Sequence, residues 1–558
     1  MASSRLPVST FAEVDVAIAL LCDRKMAWAR LSIPDRITYL QRCIEGVLAV
    51  AEDWVEASCQ LKAIDPASPL AGEEWIAGPC STVSNLRLLM QTLQAQGQPQ
   101  PVRWTTRPDG QSVAQVFPDN LMDQVLWLGF QGEVWSEPGQ PATQGQIYRE
   151  SSPVGRVALV LGAGNISSIA PMDSLYKLFV ENQVVLLKMN PVNQYMGPIL
   201  EQAFQSLRAD GFFEVVYGAA DLGHYLCHHP QIETVHITGS HHTHDAIVWG
   251  STPEERQERQ ASQRPLLTKP ITSELGNITP ILVVPGSWSG ADLAFQARHV
   301  AAMVAHNASF NCVAGKVLVV AAGWPQREAF LTRLRQELAR TPARKAYYPG
   351  AQQRYQAFLD RYPQAEAIGN RIADSVPWTL IPDVVPVAGE YALQEEPFCG
   401  VLAQVTLPAT TAAEFLHQAT EFANGQIWGS LACALLIHPR TQKQYADELE
   451  QAIAKLRYGS VAVNVWPGMI YYFSVHSWGA FPGNSLGAIS SGRGVVHNAY
   501  LFDHPQKSVM WAPFRIWPTP AWFADNRNLK QLAQRYLQYE AKPTWDNVLR
   551  VVLAAVRG

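Results

Sequence analysis

Eight cysteines are spread through 558 residues, and no two form a C-x-x-C pair. The scatter of Cys22, Cys43, Cys59, Cys80, Cys227, Cys312, Cys399 and Cys433 excludes a disulfide framework and a cysteine zinc site. It fits a reducing compartment, where one thiol can be kept for chemistry. Charge is also scarce. Charged residues make up 16% of the chain against 47% hydrophobic ones. That is a packed globular composition and not a disordered one. The net charge of −5 is spread out, so there is no basic footprint for nucleic acid. The longest apolar runs are "VALVLGAG" and "GKVLVVAAG". Both fall far short of the length a membrane span needs, roughly 20 residues. The stretch "MASSRLPVSTFAEVD" holds no uninterrupted apolar core of a signal peptide, which places the expected location in the cytoplasm. No repeat of fixed period is present.

The chain is too long for one core, so several domains are expected. Residues 10–95 carry apolar positions at three and four spacing, as in "ITYLQRCIEGVLAVAEDWVEA", and read as helices. Residues 97–150 are rich in Gly, Gln and Pro, which predicts loops and an excursion of strands. From residue 156 the pattern changes. "RVALVLG", "VVLLK", "FEVVYG" and "ETVHITG" read as strands, separated by helical stretches such as "GPILEQAFQSLRADG". That alternation predicts an α/β fold with parallel sheets covered on both faces. "STPEERQERQASQR" (251–264) has no apolar face and reads as a solvated insertion. A second α/β unit is expected from about 284 to 480.

Two local features invite chemistry. "VLGAGNIS" follows a strand and precedes a helix, as a dinucleotide fingerprint does, but Ser167 stands where its third Gly belongs. The next strand ends in Lys188 and not in an acid, so the ordinary dinucleotide reading fails in detail. "HNASFNCVAGKVLVV" places Cys312 among small and polar residues just before an apolar strand. Most free cysteines are small buried hydrophobes, and Cys312 alone would be read as one.

Taken together, these pieces resemble the aldehyde dehydrogenase superfamily over roughly residues 10–515. Asn165 in "GAGNIS" falls at the family's oxyanion-binding Asn, and Lys188 in "LLKMNP" at its coenzyme-contacting Lys. "SELGNITP" resembles the Glu-Leu-Gly-Gly box, with Glu274 as its acid. "NASFNCVAGK" resembles the Asn-x-Gly-Gln-x-Cys box, with Cys312 as nucleophile, 38 residues after Glu274. "EEPFCGVL" resembles the Glu-Glu-x-Phe-Gly-Pro box, which implies Glu396 and Phe398 near the nicotinamide ribose. "HITGS" resembles the Phe-Thr-Gly-Ser turn, which implies Gly239 and Ser240, with Gly218 at the end of "FEVVYG", near the coenzyme. The chain also departs from the family. Ala163 and Gly164 replace a Pro-Trp pair, His244 replaces a Gly, and Pro191 replaces the acid that grips the adenosine ribose. With that acid gone, NADP stays open beside NAD.

The resemblance implies two parallel-sheet α/β domains and a small oligomerisation arm. Residues 1–140 and 152–283 would form the coenzyme-binding domain with its N-terminal helices, and 284–480 the catalytic domain. Residues 141–151 and 497–515 would form the arm, with "GQIYRE" and "KSVMWAPF" as strands, and 516–558 a C-terminal helical extension packed on the surface. A homodimer or homotetramer acting on a small aldehyde is implied. Cys312 would add to the carbonyl, Asn165 and the Cys312 N–H would hold the oxyanion, and Glu274 would activate water. A coenzyme A-dependent acylating relative and a non-catalytic binding or assembly module stay open as alternatives. His236, His241, His242 and His244 lie close in sequence, but no Cys or carboxylate beside them completes a metal set. Packing near the coenzyme is expected of them.

Overall fold

The computed structural model describes residues 8–558. The first seven residues, where the N-terminal stretch read above begins, lie outside the described residues. Two sheets organise the chain. The smaller has six strands in the order Gly492–Arg493, Ile271–Glu274, Thr234–Thr238, Val157–Leu161, Val184–Met189 and Phe213–Tyr217. All neighbours are parallel except the two-residue edge strand Gly492–Arg493. Its central strands read "VALVL" and "VVLLK" because both faces are covered, leaving no solvent side on which polar residues would alternate. Helix Phe11–Ala29 covers one face and begins at a capping box of Thr10 and Glu13. Helix Ile33–Lys62 follows, capped by Ser32 with Pro34 in its first turn.

The larger sheet has eleven strands. Thr279–Val283, Gly315–Ala321, Val401–Leu407, Ala432–Leu436 and Ser460–Val463 form its parallel centre. The boundary between the two units therefore falls between Glu274 and Thr279, not at 283. Strands Arg103–Thr106, Ser112–Phe117 and Gln131–Ser136 extend the larger sheet as an antiparallel meander. The expected coenzyme domain of 1–140 thus loses residues 103–136 to the other sheet.

The expected arm is also placed differently. Strand Pro505–Trp511 lies inside the chain's own large sheet, parallel to Ser460–Val463 and antiparallel to Gln131–Ser136. Both of its edges are hydrogen-bonded within the chain, so it offers no free ladder to a second copy. "GQIYRE" is not a strand. Gly145, at φ 62°, turns the chain into the short 3-10 helix Gln146–Arg149. The insertion at 251–264 folds as helix Pro253–Ser262 with no buried residue, held by a capping box of Thr252 and Glu255. The C-terminal extension forms two helices, Leu529–Ala541 and Trp545–Ala555, and the first is wedged in rather than laid on the surface. Its Glu540 meets Arg87 at 2.6 Å with both side chains buried, and Cys80 Sγ lies 3.3 Å from the Ala533 carbonyl.

Candidate active site

Glu274 ends strand Ile271–Glu274 of the small sheet, and the large sheet's strand Thr279–Val283 follows after a short crossing. Cys312 sits in the loop between helix Gly290–Ala305 and strand Gly315–Ala321. This loop is strained. Asn307, Ala308 and Ser309 stand at φ 53°, 53° and 69°. Each such conformation costs a non-glycine residue about 1–3 kcal/mol. Side chains lock the loop in place. Asn307 Nδ2 donates to the Phe310 carbonyl at 3.1 Å and to Asn311 Oδ1 at 3.0 Å. Lys316 Nζ donates to Ser309 Oγ at 2.7 Å and to the Cys399 carbonyl at 2.8 Å. Tyr347 donates to the Asn165 carbonyl at 2.9 Å and reaches Asn307 Oδ1 at 3.1 Å.

The result is a short contact between the two candidate reactive groups: Cys312 Sγ lies 3.5 Å from Glu274 Oε1. Asn165 lines the same cavity, and its Nδ2 donates to the Phe310 carbonyl at 2.9 Å. The three residues singled out as catalytic are thus together. The cavity they share is about 30 Å³, and Trp466, Tyr471 and Trp478 are among its walls. A space of that size takes one water-sized group.

Burial dominates the electrostatics. It lifts Glu274 to about 8, helped by the charge of Asp173 and opposed by the Trp478 indole and the Cys312 thiol. Glu274 Oε2 and Trp478 Nε1 are both buried, yet neither completes a hydrogen bond. Burial pushes the Cys312 thiol well up as well, reinforced by Glu274 and Glu396. The resting thiol is therefore protonated, and the neighbouring Glu274 carboxyl gains its charge only as pH rises through about 8. Asp173, a second buried carboxylate, is not singled out by the sequence. It lies in helix Ile169–Leu175, accepts a hydrogen bond from Thr238 at 2.8 Å and stands 3.4 Å from His236 Nε2. No motif marks it; only the packing of that helix on the sheet brings it near.

Lys188, Gly218, Gly239 and Ser240 gather at the C-terminal ends of the small sheet's strands, where ligands of open α/β sheets bind. Lys188 is buried at the end of Val184–Met189, and burial lowers its pKa against the pull of Asp221. Its ammonium makes one long hydrogen bond, 3.4 Å to the Met189 carbonyl, which fits a cation suited to a ribose hydroxyl or phosphate. A Cβ on Gly239 would meet nothing closer than Ile237 at 3.8 Å, so the space above it is open. Ser240 then caps helix His241–Trp249, whose amino end suits a phosphate. Gly218 is different, since a Cβ there would stand 2.6 Å from Leu222, a packing need. Gly162 and Gly164 of the broken fingerprint are packing glycines as well, tight against Ala170 and Asn190.

Glu396 accepts a hydrogen bond from the Asn277 N–H at 3.2 Å, and burial raises it to about 7 against Lys316. Phe398 packs on Tyr348 and Phe310, at 5.0 and 5.8 Å between ring centroids. These residues fit a dinucleotide. The histidines are packing groups: His236 lies between Thr272 and Thr238, His241 against Trp428, and His244 beside Asp245. Among the described residues no group of three or more His, Cys, Asp or Glu is placed to hold a metal, and no helix is long and apolar enough to cross a membrane.

Residues 122–352 match the model of the aldehyde dehydrogenase family. The 4-trimethylaminobutyraldehyde dehydrogenase A of Danio rerio is 30% identical over 138 residues, which span 24% of this chain and 24% of that relative. An NAD-dependent aldehyde dehydrogenase from Sinorhizobium meliloti has a similar fold, with TM-score 0.61 and 20% identity over 92% of this chain and 90% of that one. So does an NADP-dependent glyceraldehyde-3-phosphate dehydrogenase from Bacillus halodurans C-125, solved with NADP, with TM-score 0.60 and 16% identity over 90% and 92%. The chain is thus similar to the aldehyde dehydrogenase family over residues 122–352, and its fold is that of aldehyde dehydrogenases.

Proposed function

We propose that the chain oxidises an aldehyde to a carboxylic acid with NAD or NADP, through a thioester on Cys312. The 3.5 Å contact of Cys312 Sγ with Glu274 Oε1, beside a cavity with aromatic walls that Asn165 also lines, carries this reading. Glu274 takes the thiol proton, and Sγ adds to the carbonyl carbon as its double bond opens to an oxyanion. Asn165 Nδ2 and the Cys312 N–H are the donors for that oxygen, each worth about 3–4 kcal/mol in comparable sites. Asn165 must first leave the Phe310 carbonyl, so the donor is engaged until substrate enters. Lys188, Gly239, Ser240, Glu396 and Phe398 would hold the coenzyme, which supplies the hydride acceptor when bound. Glu274 passes the thiol proton to solvent; water then attacks the thioester carbon as Glu274 accepts its proton, and the C–S bond breaks to release the acid while that proton returns to Sγ. Neighbours of this fold use either coenzyme, one being NAD-dependent and one solved with NADP, and Pro191 leaves both open here.

The test is turnover of a panel of aldehydes, with and without coenzyme A, followed by reduced coenzyme and by acid release. Acid formed without coenzyme A supports the reading. Turnover only with coenzyme A would replace it with acyl transfer, and no turnover of any aldehyde would leave a binding or assembly role.

A further inference from the structure

Helix Gly468–Tyr472 is a partition one helix thick. On one side is the cavity of about 30 Å³ at Cys312. On the other is a cavity of about 500 Å³, and Tyr472 lines both. The larger one falls in the size range of small-molecule sites. Its walls are mostly apolar, with Trp127, Phe473, Trp517, Trp522, Tyr536 and Val552 among them. Four of those six belong to the C-terminal extension, the part of the chain that the catalytic chemistry does not use.

We propose that this cavity holds the apolar tail of the substrate, so that the enzyme's substrates are long-chain uncharged aldehydes. The inference rests on the aldehyde-oxidising reading above. The cavity at Cys312 has room for little beyond the reacting carbonyl, so a longer substrate must extend elsewhere. The partition gives it one way through. Tyr471 is anchored by its hydroxyl to Ser168 at 3.1 Å, whereas Tyr472 is part-buried and held by ring packing on Trp466 and Tyr471. A rotation of the Tyr472 ring joins the two spaces. The charge pattern favours a neutral tail. His306, on the wall, is lowered by burial and carries no charge at neutral pH. Arg515 is the charged residue of the lining; its side chain is 55% exposed, at the rim, and its guanidinium faces Asp292 at 3.8 Å.

The experiment measures kcat/KM for propanal, hexanal, decanal and hexadecanal, in the parent and in Ala555→Trp, which plugs the cavity from helix Trp545–Ala555. Binding of decanoate to the parent and the variant, followed by calorimetry, gives a readout that needs no turnover. Each methylene entering the cavity should raise kcat/KM about fourfold until the cavity is full. Ala555→Trp should lower the value for decanal at least tenfold more than for propanal and should weaken decanoate binding. If the tryptophan does not fold, Ala555→Leu asks the same question with a smaller plug. A flat profile from propanal to decanal overturns the proposal, as does an equal loss on both in the variant. If no aldehyde is oxidised but decanoate binds and the plug releases it, the cavity assignment stands and the activity reading falls.

Discussion

Cys312 Sγ stands 3.5 Å from Glu274 Oε1, and both groups are held in their neutral forms by burial and by each other. The pair shares protons: whichever group ionises first makes the second ionisation harder. Among the eight cysteines, Cys312 and Cys22 are part-buried and the other six are buried. Substoichiometric iodoacetamide should label Cys312 ahead of the six buried thiols, more strongly above pH 8 than at pH 6. Peptide mapping by mass spectrometry checks this. Loss of activity should follow the Cys312 label, not the Cys22 label. Activity that survives complete Cys312 labelling would remove it as the nucleophile.

Coenzyme choice turns on Lys188 and its surroundings. Pro191 brings no carboxylate to the strand end, and the acid that bears on Lys188 is Asp221, in helix Ala220–His228. NAD and NADP should therefore differ in kcat/KM by no more than about a hundredfold, under roughly 3 kcal/mol. Pro191→Glu should move the preference toward NAD by repelling a 2′-phosphate. A parent preference for NAD of many thousandfold, abolished by Asp221→Asn, would put the discriminating carboxylate on that helix instead.

The C-terminal extension should be part of the fold's stability. Arg87 donates to Glu540 Oε2 at 2.6 and 3.0 Å, with both side chains nearly buried. Glu540→Gln leaves a buried guanidinium without its counter-charge, which should cost about 3–5 kcal/mol. Arg298 and Asp525 form an ion pair of the same length, 2.6 Å, but Asp525 is 62% exposed. Asp525→Asn should therefore cost under about 1 kcal/mol. Urea unfolding of both variants makes the comparison. Similar losses in the two would mean that the extension is held by its apolar contacts and not by the buried pair.

The legible parts of the sequence are those where one local rule decides the outcome. Strands such as Val157–Leu161 and Val184–Met189 are covered on both faces, so their apolar runs stand out. Cys312, Glu274 and Asn165 sit at element ends, where a motif and its loop carry the geometry. The arm is misplaced from sequence because "KSVMWAPF" reads as a strand whichever chain it pairs with. Strand residues do not encode the partner, and the pairing with Gln131–Ser136 is a long-range contact. Gly162 and Gly164 look like remnants of a phosphate loop, although their lack of a side chain serves the approach of Ala170 and Asn190. Asp173 carries no local signal, because its importance lies in its proximity to Glu274 in space.

That proximity makes the last prediction. The carboxyl of Glu274 is raised to about 8 by burial first and by the charge of Asp173 second. A raised carboxyl is protonated and inactive as a base below its pKa and becomes active as pH rises through it. The step that needs the Glu274 carboxylate should therefore speed up with pH and level off above about 8. Asp173→Asn removes a negative neighbour while keeping the size of the side chain, so the profile should move to lower pH with a similar plateau. Glu274→Gln keeps the shape of the site but can accept no proton. If Glu274 serves only the hydrolysis step, rapid mixing of this variant should give a burst of reduced coenzyme near one per site, followed by slow turnover. Mass spectrometry should then find the acyl group on the Cys312 peptide. If Glu274 is also the base that takes the thiol proton, the burst should be slow at pH 7 and recover at higher pH, where the thiol ionises unaided. A Glu274→Gln variant that turns over like the parent would reduce Glu274 to a structural carboxyl. An Asp173→Asn profile identical to the parent's would show that burial alone holds Glu274 up.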